Sequence, residues 1–209
     1  YIAVLAYYAV LYFDKKEYMM ILMVVFLMCL LAQYVFMFPK YKTEQISNAI
    51  MSMLYAGVML SYLYSVREGN NGAYTVWLIF LCSWGSDTCA YLAGVAFGKH
   101  KMAPVLSPKK SIEGAVGGVA GAALLGLIYA LAAGKFFPEF DHSPAVYALI
   151  CAVGALISMV GDLAASGIKR NHNIKDYGKL IPGHGGILDR FDSVIFTAPV
   201  IYYLAVALM

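Results

Sequence analysis

Residues 181 to 193 read IPGHGGILDRFDS, a polar stretch near the end of a 209-residue chain that is 62% hydrophobic. Pro182, Gly183, Gly185 and Gly186 support a helix poorly, so the chain turns here and a final helix is expected from Leu188 or Asp189. Backbone amides at a glycine-rich helix start, including those of Gly185 and Gly186, form an anion site. Asp189 and Asp192, at i and i+3, share one face of the first turn, and carboxylate oxygens are what Mg²⁺ prefers, with phosphate oxygens completing its shell. Acids in a first turn are also favoured by the helix dipole alone. Arg190 and His184 in the same short stretch make that reading insufficient.

Two further carboxylates lie within apolar runs, where an Asp at mid-helix costs about 2.5 to 3.5 kcal/mol on insertion scales and must face a polar interior. Asp87 sits in CSWGSDTCAY, with Trp84 and Tyr91 on its side of a helix. Asp162 sits in SMVGDLAASGIKR, with Ser166 and Lys169 at i+4 and i+7. That spacing lines up a carboxylate, a hydroxyl and an ammonium, a line able to hold a metal and a phosphate. A plainer reading pairs Asp162 with Lys169, and Asp87 with an interhelical hydrogen bond. A matching basic element is SPKKSIEG, residues 107 to 114: Ser111 is a helix N-cap candidate, and Lys109 and Lys110 stand beside the positive end of that helix. A polyphosphate is attracted to such a place, although retention of lysines on one membrane side also accounts for the pair.

The elements that must position these groups follow from composition. Charged residues make up 13% of the chain, against roughly a quarter in soluble domains. Seven apolar segments, 1 to 13, 18 to 38, 46 to 66, 73 to 97, 113 to 134, 144 to 168 and 191 to 209, separate polar loops. Most match the ~20 helical residues that cross a hydrocarbon core. No period-2 alternation supports a barrel, so the expectation is an all-α, polytopic transmembrane bundle. It divides into N-terminal membrane helices over 1 to 75 and a chemistry-bearing region over 76 to 209, with polar loops at 98 to 112 and 169 to 190. The first apolar run is too short to span, and the chain begins with Tyr1, so an N-terminal part of the protein is expected to be missing.

Lys and Arg set the orientation. Eleven lie in the loops after the second, fourth and sixth segments and four in the alternate loops, which places both long polar loops in the cytoplasm. A net charge of +3 drawn from these loops carries no signal for nucleic acid. Cys29, Cys82, Cys89 and Cys151 lie in apolar runs without a CxxC pair and read as reduced, small hydrophobes. Gly114, Gly118, Ala122 and Gly126, with Gly117 and Gly121 beside them, form a small-residue stripe suited to close helix packing inside the chain or between subunits.

The run SGIKRNHNIKDYGKLIPGHGGILDRFDS, residues 166 to 193, resembles the C-terminal signature of the phosphatidate cytidylyltransferases, or CDP-diacylglycerol synthases, throughout its length. The likeness takes in Ser166, Lys169 and Arg170, Lys175 and Asp176, Pro182, His184, Gly185 and Gly186, Asp189 and Arg190, and Asp192. The elements WGSDTCAYLAG, SPKKSIEG and GDLAAS are also similar to family patterns, so the resemblance covers about residues 80 to 200. It implies transfer of a cytidylyl group from CTP to phosphatidic acid in the bilayer, with Mg²⁺ required, a second cation left open, and assembly as a homodimer. In a bacterium the location would be the inner membrane, with the site facing the cytoplasm.

On this reading Asp162 and Asp189, supported by Asp192, bring metal to the CTP phosphates. Lys169, Arg170 and Lys175 neutralise the departing pyrophosphate or hold the lipid phosphate, while His184 orients a phosphate or carboxylate. Asp87, Ser107, Lys109, Lys110 and Glu113 complete the polar floor. Close relatives in chemistry are CTP-dependent polyprenol kinases and CDP-archaeol synthases, which share parts of the motif. An ion-coupled transporter would use Asp87 and Asp162 as midplane cation sites, but its signature of paired broken helices in repeated halves is lacking. A purely structural membrane subunit leaves the 181 to 193 cluster unexplained.

Overall fold

The computed structural model describes residues 1–69, 71–136, 143–180 and 185–209. Among the described residues seven helices are formed: α1 (Ile2–Tyr12), α2 (Lys16–Phe36), α3 (Thr43–Glu68), α4 (Gly72–Phe97), α5 (Ile112–Phe136), α6 (Pro144–Asn171) and α7 (Leu188–Leu208). All but α1 are long and apolar enough to cross a membrane, as the segment pattern predicts, and the chain is an integral membrane protein. The last helix starts at Leu188, where the glycine-rich stretch ends.

Two compact units divide the chain, Tyr1–Ser61 and Tyr62–Met209. In the first, no residue of α2 is buried, as suits a helix of Leu, Met and Val whose solvent is lipid. Tyr8 donates its hydroxyl to the Gly57 carbonyl at 3.2 Å, joining α1 to a π-helical turn at Met53–Met59.

In the second unit α5 packs on the C-terminal half of α4, α6 packs on α5, and α7 packs on α6 and on the N-terminal half of α4. Leu78, Ile79, Cys82, Ile150, Cys151, Ala155, Val194 and Ala198 form its dry centre. The small-residue stripe of α5 is used within this unit. A Cβ on Gly118 would come 2.9 Å from that of Ala90, and one on Gly126 would come 2.6 Å from Cys151 Sγ. That is closer than packed side chains tolerate, so these glycines let α4 and α6 approach α5.

One expectation needs correction. Residues 98 to 112, read as a loop, contain a short antiparallel strand pair, β1 (Lys101–Ala103) and β2 (Ser107–Ser111). Ile112 donates to the His100 carbonyl at 2.9 Å, so the pair extends to the base of α5. At a membrane edge this pairing satisfies backbone groups that an open loop leaves exposed. A three-residue strand without alternating polarity gives sequence reading nothing to detect.

Candidate functional site

The site grows from three junctions in the second unit. The first joins α4 to α7. A π-helical turn at Leu81–Gly85 interrupts α4 just before Asp87. Within it, Ser83 Oγ lies 3.2 Å from Thr197 Oγ1 in the buried core, and Trp84 Nε1 donates to the Arg190 carbonyl at 3.1 Å. Trp84 also meets Phe80 and Phe191, with ring centroids 4.9 and 6.0 Å away. The start of α7, which carries Asp189 and Asp192, is thereby pinned to α4. π turns of this kind concentrate at functional sites.

The second junction joins the strand pair to α5. Ser111 Oγ accepts the Gly114 amide at 3.1 Å, the N-cap expected from its type and position. Glu113 Oε2 accepts the amides of Lys99 and His100 at 3.1 and 3.2 Å, and Glu113 Oε1 lies 2.6 Å from His100 Nδ1. This carboxylate is therefore engaged by the approach to β1, one step away from the cleft that the strands cover. His100 was not distinguished by sequence, because nothing in its spacing marks a partner thirteen residues on.

The third junction folds the polar segment after α6 onto α7. Asp189 Oδ2 accepts the amides of Tyr177 and Gly186 at 2.8 and 2.9 Å, and Asp189 Oδ1 accepts Lys169 Nζ at 2.9 Å. Lys169 also lies 3.9 Å from Asp192 Oδ2 and 5.2 Å from the centre of the Tyr177 ring. The Tyr177 hydroxyl donates to the Ala165 carbonyl at 3.3 Å. Burial, then the negative charges of Asp192 and Asp189, push the phenol up, which keeps that donor protonated. Gly185 has φ +82, and a Cβ there would come 2.9 Å from Asp189 Oδ2. Both glycines thus seat the carboxylate, and Tyr177 and Gly178 join the arrangement without having stood out in the sequence.

Between the C-terminal half of α4 and α6, beneath the strand pair, lies a cleft of about 530 Å³. Asp87, Lys110 and Asp162 line its inner wall, Lys101, Ser107 and Lys109 its strand side, and Ala90, Tyr91, Val95, Met102 and Met159 its apolar side. Lys110 Nζ forms an ion pair with Asp162 Oδ2. The line along α6 is thus divided: Asp162 turns to Lys110 on β2, and Lys169 turns to Asp189 and Asp192 on α7. The plainer reading, an Asp162–Lys169 pair, does not describe this geometry. Asp87, Asp162 and Asp192 come near enough to repel one another.

Of the other residues named from sequence, Ser166 is half-buried on α6, while Arg170, Lys175, Asp176 and Arg190 are exposed at the same polar end. Pro182, Gly183 and His184 lie outside the described residues. Among the described residues no three acidic, histidine or cysteine side chains converge on one point. The donors are nonetheless oxygens, as Mg²⁺ requires. An ion held through one or two carboxylates plus substrate phosphates needs no closed protein cage. Asp162 and Asp192, and the remaining lone pair of Asp189, are the groups suited to it.

The profile of the cytidylyltransferase family matches residues 1–208. A phosphatidate cytidylyltransferase of Staphylococcus haemolyticus is 38% identical over 157 residues, which cover 75% of this chain and 58% of the relative. One from Staphylococcus aureus (strain COL) is 40% identical over the same length and shares. The chain spans a little over half the length of these curated relatives.

Proposed function

The chain belongs to the cytidylyltransferase family, and from that premise we propose that it transfers a cytidylyl group from CTP to phosphatidic acid, giving CDP-diacylglycerol and pyrophosphate. The observation that carries this reading is the meeting of Lys110, Lys169 and four aspartates, 87, 162, 189 and 192, at one polar end of a membrane-embedded unit, beside a cleft with an apolar side. A substrate with a phosphate head and a bilayer-held body suits such a cleft. The positive-inside count supports a cytoplasmic side for this end, where CTP is available.

A phosphate oxygen of phosphatidic acid attacks the α-phosphorus of CTP, the bond from that phosphorus to the β-phosphate oxygen breaks, and pyrophosphate leaves. The attacking group is already an anion near neutral pH, so no general base is required. Lys110 and Lys109 orient one phosphate group from the strand pair. Lys169, Arg170 and Lys175 offset the charge that grows on the leaving pyrophosphate. Mg²⁺ held by Asp162 and Asp192, with Asp189 beside them, would supply charge neutralisation and alignment of the phosphates. Homodimer assembly, implied by the resemblance, would use faces other than the α5 stripe, which is filled within the chain.

The test is an assay of the full-length protein with CTP, Mg²⁺ and phosphatidic acid, followed by release of pyrophosphate and formation of CDP-lipid. No CDP-lipid from folded protein rejects the proposal. Turnover with polyprenol or an archaeal ether lipid in place of phosphatidic acid would move the protein to one of the related chemistries.

A further inference from the structure

Lys110 lines the polar cleft, Lys169 stands at the neighbouring junction of α6 and α7, and both ammonium groups are held by carboxylates. Lys110 Nζ is buried and pairs with Asp162, with no other acceptor among the described residues. Lys169, its side chain 12% exposed, bridges Asp189 and Asp192 at 2.9 and 3.9 Å. An ammonium carries three N–H donors and accepts nothing. Asp162 alone cannot satisfy Lys110, so that buried nitrogen, on a residue that lines the cleft, retains donors for a further acceptor.

A divalent cation would seek the same carboxylate oxygens. Like charges brought to one carboxylate in a half-buried setting oppose each other, so a cation on Asp162 or Asp192 competes with the lysine already there. A phosphate resolves the competition. It offers the ammonium several charged acceptors and bridges to the cation with its remaining oxygens. Asp189 stays in place when Lys169 turns away, because the amides of Tyr177 and Gly186 still hold its Oδ2.

We propose that Lys110 and Lys169 are exchange partners: each keeps a carboxylate occupied until a substrate phosphate takes the ammonium, and the released carboxylate then takes the divalent cation. Cation and nucleotide binding are therefore coupled, and each strengthens the other by the same factor. The coupling would keep the acids from binding a cation when no substrate phosphate is present. The inference rests on the nucleotide-and-cation reading of the site given above.

The probe is Mn²⁺, titrated by electron paramagnetic resonance onto the full-length protein in phosphatidylcholine nanodiscs, with and without α,β-methylene-CTP, at matched free Mn²⁺. Wild type is expected to bind Mn²⁺ at least tenfold more tightly with the nucleotide analogue. Lys110→Met and Lys169→Met are expected to bind Mn²⁺ more tightly than wild type without nucleotide, and to lose most of the analogue's effect. A lysine that only anchors phosphate predicts no such gain. Lys110→Gln serves as the second variant at that position if Lys110→Met does not fold. Wild-type affinity unchanged by the analogue, or lysine variants that bind no tighter than wild type without it, overturns the exchange while leaving the function intact. Wild type that binds no Mn²⁺ even with the analogue overturns the cation reading and the exchange together.

Discussion

Lys169 Nζ stands 2.9 Å from Asp189 Oδ1, joining the last turns of α6 to the first turn of α7 across twenty residues of sequence. The same carboxylate holds the amides of Tyr177 and Gly186 on its other oxygen. Asp189→Asn removes the charge and turns one acceptor into a donor facing other donors. Turnover should fall by roughly 10²-fold or more, the loss usual for a group that positions charge in a site. The helices should survive, since their core is remote from this junction. Circular dichroism and the CDP-lipid assay check both halves, and near-normal turnover would remove Asp189 from the site.

Gly185 and Gly186 make a sharper geometric prediction. At φ +82, Ala at 185 costs about 1 to 2 kcal/mol from backbone strain alone. Its Cβ would also meet the Asp189 carboxylate. At 186 the Cβ would come 2.9 Å from the Gly178 amide, a backbone atom that cannot swing aside. Both Ala variants should lose activity and expose residues 172 to 180 to protease. A fully active Gly186→Ala protein with unchanged cleavage would show that Gly178 does not pack there.

Trp84 gives a graded case. Trp84→Phe keeps packing against Phe80 and Phe191 but loses the hydrogen bond to the Arg190 carbonyl, a loss of about 1 kcal/mol. Trp84→Ala loses both. Thermal stability and turnover should therefore rank wild type, Phe, Ala, and an Ala variant equal to Phe would assign the whole effect to the hydrogen bond.

Glu113 and His100 separate clamp from contact. Because Glu113 accepts two backbone amides as well as the imidazole, Glu113→Ala should impair turnover more than His100→Ala, with Glu113→Gln between them. The ranking follows from the number of hydrogen bonds each change removes. Steady-state kinetics on the three variants check it, and His100→Ala as damaging as Glu113→Ala would place the clamp in the imidazole.

Much of this protein was legible in its residues. Apolar runs about 20 residues long, broken by polar loops, dictate membrane helices, because a chain in lipid must satisfy its own backbone hydrogen bonds. The run from Ser166 to Ser193, with its basic pairs, glycines and aspartates at fixed spacing, showed the family resemblance, and Ser111 announced the start of α5 by its type and position. What only tertiary structure decided was which charge meets which. Asp162 and Lys169 share one helix line, yet β2 brings Lys110 to Asp162 and α7 brings Asp189 to Lys169. Helical spacing tells which side chains lie on one face, but partners across helices depend on packing distances set by glycines far from the charges. The strand pair, the amides held by Glu113 and the Trp84 bond to Arg190 have the same origin: each depends on a backbone group, and a backbone group has no residue type to read.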